Sequence, residues 1–345
     1  MRVMVTGGTG YVGAWSVKAL VDAGHKVRLL VRDPAKARTM FAALGLPRLP
    51  CVTGDMTDEV AVLKALQGCD AVLHCAAVVS TDPRRADEMM AANPRGVELV
   101  IGHAVRLGLD PVVHVSSVAA LLRPGMTEQL KADLPLGTLD SGYARSKAAA
   151  ERCVRDLQDK GAPIVITYPG SVTGPAAGRV ISEATEGLAQ TVAMGSLPSP
   201  DAAWSIIDGR DLGAVHAALM VPGLGPRRFM CGGTYLVPAD LSATLERITG
   251  RSFKVLPMSG ALLRGIGWAA DAVGRVFPIE SVLSHEAMVC FTQMPPSDDL
   301  PVRRELGVRY RKIDVTLREA LLAARDAGLL TEKQVGKLAK KQAPR

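Results

Sequence analysis

The chain has 345 residues, enough to bury a large core as one α/β domain with an extra lobe or as two domains sharing a cleft. Apolar residues make up 48% and charged residues 22%, and no run of eighteen uncharged apolar residues occurs, which excludes a membrane-spanning helix. The formal charge of +7 hints at nucleic acid, but Lys333, Lys337, Lys340, Lys341 and Arg345 crowd into the C-terminus, so a solvated basic tail over 331–345 explains it better than a nucleic-acid surface.

The chain opens directly into a strand pattern from Met1 to Val5, without the stages of a signal peptide, and the expectation is a cytoplasmic protein. Up to residue 167, short apolar runs at 2–6, 26–31, 50–53, 70–74, 111–116 and 163–167 alternate with helical patterns near 11–23, 34–43, 58–66, 84–107 and 141–160. That alternation predicts a doubly wound parallel sheet of Rossmann type with helices on both faces. Gly24 ends the first helix and Pro34 opens the second.

Between the first strand and first helix lies Thr6-Gly7-Gly8-Thr9-Gly10-Tyr11-Val12-Gly13. Of the glycines at 7, 10 and 13, one permits the tight turn, one admits a pyrophosphate to the backbone, and one lets the helix pack on its strand. Dinucleotide binding is the expectation, because the pattern follows a strand and precedes a helix. At the end of the second strand an acid would take ribose hydroxyls and a base a 2′-phosphate. Arg32 stands there and favours NADP, while Asp33, one residue on, keeps NAD as the alternative.

Tyr143-Ala144-Arg145-Ser146-Lys147 begins the fifth helix, where residues four apart share a face. Ser116 and Ser117 end the fifth strand at the same edge of the sheet. A phenol with a pKa near ~10 needs neighbouring positive charge to act as a reversible acid at neutrality, and a hydroxyl beside it holds the reacting oxygen. Six cysteines, Cys51, Cys69, Cys75, Cys153, Cys231 and Cys290, are scattered without a C-x-x-C pair; most of them read as small buried hydrophobes, and no metal site or disulfide framework is indicated.

The spacing G-x-x-G-x-x-G with Y-x-x-x-K resembles the extended short-chain dehydrogenase/reductase superfamily, of NAD(P)-dependent epimerase/dehydratase type, and in character the dihydroflavonol reductase and 3β-hydroxysteroid dehydrogenase branch. The resemblance implies Ser117, Tyr143 and Lys147 as catalytic residues, with Ser116 as runner-up for the hydroxyl. It also implies cofactor contacts from Asp55 and Met56 after the third strand, Ala76 and Ala77 in His74-Cys75-Ala76-Ala77, and Pro169, Ser171 and Val172 in the segment 168–175. The segment Asp208 to Leu212 matches a further motif, so the resemblance spans residues 1–212. Tyr168 and Thr173 depart from its usual Arg and Tyr, and Asn93-Pro94-Arg95-Gly96 puts a proline inside its familiar Asn-containing helix. Read from the residues alone, 55–58 is equally a turn with Thr57 capping the next helix.

The domains expected are 1–170 for the cofactor and 171–330 as a mainly substrate-binding lobe, with 205–232 returning to the main domain. Residues 258–277 read as a core-facing helix, with a substrate lid or a membrane-surface helix as alternatives. The function expected is an NADP-dependent reductase or dehydrogenase of a hydrophobic carbonyl or alcohol, with a homodimer implied by the resemblance. The alternatives are a nucleotide-sugar epimerase or dehydratase holding NAD, and a non-catalytic NADP-sensing regulator.

Overall fold

The computed structural model describes residues 1–80, 82–276 and 285–339. Seven strands form one parallel sheet in the order β10-β6-β5-β4-β1-β2-β3: β1 Arg2–Thr6, β2 Lys26–Val31, β3 Cys51–Thr53, β4 Ala71–His74, β5 Val112–Val115, β6 Ile164–Pro169 and β10 Arg227–Cys231. The expected doubly wound sheet is thereby borne out, as are its six sequence-predicted strands. These strands read as unbroken apolar runs because both faces are covered.

One face carries α3 Glu59–Leu66, α4 Ala86–Arg106 and α5 Gly142–Gln158, whose Val62, Val100 and Val154 pack with Val72 and Val112. The other carries α1 Tyr11–Asp22, α2 Pro34–Ala43 and α7 Gly209–Ala218, whose Val17, Phe41 and Val215 pack with Val5 and Leu29. Strand order reverses between β1 and β4, so the crevice of a doubly wound sheet opens at their carboxyl ends, Thr6 and His74. Helix α4 runs through Pro94, whose missing N–H falls beside exposed Met90.

After β6 the chain makes a second sheet from β7 Ser171–Thr173, β9 Trp204–Asp208 and β11 Thr234–Leu236, and a two-stranded one from β8 Ser196–Leu197 and β12 Lys254–Val255. With α6 Glu183–Met194, α8 Pro238–Thr249 and α12 Ile313–Asp326 these enclose a third core around Val192, Leu241, Leu245 and Leu317. The stretch 205–232 is divided: β9 lies in the small sheet, whereas α7 packs on α1 and β10 forms the edge of the large sheet.

Three sequence expectations meet a different structure. Helix α3 is capped by Asp58, which accepts from the Ala61 N–H at 3.1 Å, and not by Thr57, whose hydroxyl is spent on Asp55 at 2.8 Å. Residues 331–339 do not trail as a tail: Thr331 and Gln334 form a capping box on α13 Glu332–Val335, Val335 is fully buried, and the Arg251 guanidinium reaches the Gln334 carbonyl. Lys340, Lys341 and Arg345 lie outside the described residues.

The third is α9 Gly260–Val276, followed by α10 His285–Thr292. It buries Leu263 but turns Leu262, Ile266, Trp268 and Val273 outward, so it is not the core-facing helix its composition suggests; Phe277 lies outside the described residues. The last helix of the set, α11 Leu300–Leu306, packs against β10.

Candidate active site

At the carboxyl end of β1 the chain turns through Gly7 with φ +68°, in the left-handed region that only glycine enters without strain. A Cβ on Gly7 would lie 2.6 Å from the Ala76 nitrogen, and one on Gly13 would lie 2.2 Å from the Gly7 carbonyl oxygen. Side chains are therefore excluded where the turn meets 75–76 and where α1 meets the turn. At Gly10 a Cβ would approach only the Gly7 oxygen, at 3.4 Å.

Gly10 is also the N-cap of α1, with no side-chain cap and no acid in the first turn. The N–H groups and positive dipole end are left for an anion, as a pyrophosphate requires. Thr9 and Val12 flank this terminus, half-buried. The Tyr11 hydroxyl donates to the Pro175 carbonyl at 2.9 Å, tying the start of α1 to the segment after β7.

Two residues at the end of β2 now have distinct duties. The Asp33 carboxylate accepts from the Ala35 and Lys36 N–H groups at 2.8 and 3.0 Å as the N-cap of α2, and those bonds hold it below the usual carboxylate range. Arg32 is exposed and, among the described residues, makes no hydrogen bond or ion pair; its charge helps to lower the Glu88 carboxyl, after the larger effect of Arg85. A cofactor phosphate beside β2 would meet a guanidinium with its donors unspent.

Asp55 accepts from the N–H and hydroxyl of Thr57, and Met56 beside it is buried against Gly96. Ala76 and Ala77 continue β4 half-buried. The Ala76 N–H donates to the Thr6 hydroxyl at 3.2 Å, and that hydroxyl also meets Nδ1 of His74 at 2.7 Å. Burial, with the Lys147 charge second, pushes His74 down to about 3, so it is a neutral structural group stacked on His114.

Tyr143 and Lys147 stand one turn apart at the start of α5, capped by Ser141. Lys147 is enclosed, with its Nζ 6.0 Å from the centre of the Tyr143 ring and donating to the Val115 carbonyl at 3.3 Å. Burial pushes it down to about 8, while Cys75 and Glu151 oppose the shift. A charge near neutrality and adjacent to a phenol is what a reversible proton donor needs.

The two serines separate. Ser116 donates to the fully buried Glu151 at 2.5 Å, and Glu151 also binds Arg155 and the Tyr168 hydroxyl. Among the described residues Ser117 is held only by the Ala119 N–H, at 3.2 Å, which leaves its proton to donate. Tyr168, where the resembling superfamily has Arg, thus joins a buried network in which Arg155 of α5 supplies the guanidinium.

Sequence reasoning passed over this network, and it also passed over Asn93. The Asn93 side chain accepts from the Val78 N–H at 2.7 Å and donates to the Val78 carbonyl and to the Ser146 hydroxyl. Through it the segment that follows Ala77 is tied to α5 between Tyr143 and Lys147. Its sequence signal was an Asn just before Pro94 in α4, which does not say what its side chain would hold.

Pro169 ends β6 opposite Cys231, and Ser171 and Val172 lie half-buried on β7 beside Ile206 and Ile207. Next to them Asp208 caps α7 and binds Arg210 and Thr316, while Asp211 holds Arg311. These acids clamp the C-terminal segment onto the sheet and are spent doing so.

A family model described as NAD dependent epimerase/dehydratase matches residues 3–232, two thirds of the chain. The chain belongs to that family. The resemblance to extended short-chain dehydrogenases is thereby borne out, and the protein is an enzyme of NAD(P)-dependent oxidoreductase type. It is 27% identical over 340 residues to sterol demethylase protein B of Methylococcus capsulatus, covering 96% of this chain and 100% of that one. It is 28% identical over 262 residues to cinnamoyl-CoA reductase 1 of Oryza sativa, covering 72% and 76%. In fold it is similar to UDP-glucose-4-epimerase of Stenotrophomonas maltophila, with a TM-score of 0.74 at 19% identity over 95% and 99% of the chains.

Proposed function

We propose that the protein is an NADP-dependent oxidoreductase that reduces a ketone or aldehyde, or oxidises the matching alcohol, on a hydrophobic substrate. The observation that carries this reading is Tyr143 standing over the buried Lys147 at the edge where the uncapped α1 terminus opens. When bound, the nicotinamide supplies or accepts the hydride.

The chain's own groups do the rest. Tyr143 delivers its phenolic proton to the substrate oxygen as negative charge gathers there, and Ser117 donates a hydrogen bond to the same atom. Lys147 stabilises the phenolate left behind. Gly7, Gly10, Gly13 and the backbone from Thr9 to Val12 seat the pyrophosphate, with Met56, Ala76, Ala77, Pro169, Ser171 and Val172 along the remaining length and Asp55 toward the adenine.

Arg32 supports NADP, and the capping duty of Asp33 weakens the NAD alternative. That also weighs against an epimerase that retains NAD, despite the likeness of fold. A hydrophobic substrate is supported by the relative matched over its whole length, a sterol demethylase protein, and by the cinnamoyl-CoA reductase.

The test is an NADPH and NADH oxidation screen over ketones and aldehydes of rising hydrophobicity, with Arg32→Ala beside the wild type. A charge-assisted guanidinium contact contributes ~1.5–3 kcal/mol, so Arg32→Ala should lower kcat/KM for NADPH ~10–100-fold and leave NADH nearly untouched. Equal use of both cofactors by the wild type, or an unchanged NADPH preference in the variant, would overturn the assignment.

A further inference from the structure

Helices of globular domains turn their apolar stripe to the core and their charges to water. Helix α9 does the reverse. Its Arg264 guanidinium donates to the Thr292 hydroxyl at 2.8 Å, and its Asp271 carboxylate accepts from the His285 N–H at 3.0 Å, so these two charges turn to α10. The outward face carries Leu262 at 54% exposure, Ile266 at 38%, Trp268 at 68% and Val273 at 49%. Ala261, Gly265 and Ala269, all exposed, fill the spaces between them. Single exposed hydrophobics are ordinary, but a continuous helical face of them marks an interaction site.

We infer that this face lies on an anionic lipid bilayer, with α9 parallel to the membrane plane. Three observations favour lipid over a second protein. The most exposed side chain is an indole, which pairs an apolar ring with one polar N–H and prefers the boundary between acyl chains and headgroups. Shortly before α9 in the chain, Val255 and Leu256 are exposed at 36% and 37%, beside exposed Lys254.

The part of the sequence that carries α9 is also its basic part. Residues 251–345 contain sixteen Lys and Arg against ten Asp and Glu, an excess of six out of the chain's +7. A net basic segment, with Asp271 of the helix turned to α10, suits anionic headgroups. Asp201, the acid nearest the start of α9, is engaged by the Gly260 N–H at 2.7 Å.

A second copy of the chain would need about 20–30 residues a side for a stable interface, and the patch offers far fewer. Spanning is excluded for the described helices, none of which is long and apolar enough to cross a membrane. The inference stands apart from the cofactor and proton-transfer assignments above, since it uses none of their residues.

The test is flotation of the full chain with vesicles of phosphatidylcholine alone and of phosphatidylcholine mixed with phosphatidylglycerol, with brominated acyl chains to quench tryptophan. Expected is salt-sensitive flotation with the anionic vesicles, quenching of emission that Trp268→Phe abolishes, and at least a tenfold loss of binding in Leu262→Ser with Ile266→Ser. That double variant should keep its Tm and its NADPH affinity, since neither residue touches the sheet or the glycine turn. No flotation with either vesicle, or flotation unchanged in the double variant, would overturn the inference; so would a dimer in sedimentation that the double variant dissolves.

Discussion

The Lys147 ammonium is enclosed beneath Tyr143 with one carbonyl as its partner, and burial brings it down to about 8 from an ordinary 10.5. Between those two values the unfolded chain still holds the proton that the folded one has released, so stability rises with pH across that window. Below pH 8 the cost of the buried charge is fully present. Lys147→Met should therefore raise stability at pH 7 by about 1–3 kcal/mol while cutting turnover at least ~100-fold. A melting curve with an activity assay checks both, and a variant that melts earlier would contradict the account of Lys147. The same scale shows why the sequence could not separate Arg32 from Asp33 or Ser116 from Ser117. Each pair is adjacent, and only a partner elsewhere, the α2 terminus for Asp33 and Glu151 for Ser116, assigns one member to the framework.

At the scale of elements, the turn between β1 and α1 makes unequal demands on its glycines. Gly13→Ala would drive a methyl into the Gly7 carbonyl at 2.2 Å, whereas Gly10→Ala meets nothing nearer than 3.4 Å. The first should lose ~1–3 kcal/mol of stability as well as cofactor affinity. The second should hold its Tm and lose only NADPH binding, by tenfold or more, because its methyl would occupy the approach of the pyrophosphate. Titrating both variants with NADPH and melting them checks this, and equal melting losses would refute it. Through β6 the elements were legible because a parallel sheet covered on both faces writes each strand as an apolar run. The cap of α3 was misread by one residue because Thr57 and Asp58 are both good caps, and the choice was made by Asp55. Helix α9 was misread more deeply. Its pattern shows that one face is apolar and is silent on what that face meets.

Over the whole molecule, two cores flank the sheet and a third fills the lobe, and the pieces are joined by contacts far apart in the chain. Asp211 with Arg311, Asp208 with Thr316, and Asn93 with Val78 and Ser146 are examples. No local pattern announces such pairs, so the site's edge was legible in the glycine turn and in Tyr143 with Lys147, whereas the framework holding it was not. Residues after 175 were the hardest to read for the same reason: β10 returns to the large sheet while β9 and β11 stay in the small one. The account makes the molecule one device, in which an anion-binding helix terminus and a tuned phenol meet at a single sheet edge. Single-turnover reduction of a carbonyl substrate by NADPH, in the wild type and in Tyr143→Phe, tests that most directly. The account predicts equal NADPH affinity for the two proteins and a rate at least ~100-fold lower in the variant; equal rates would contradict it.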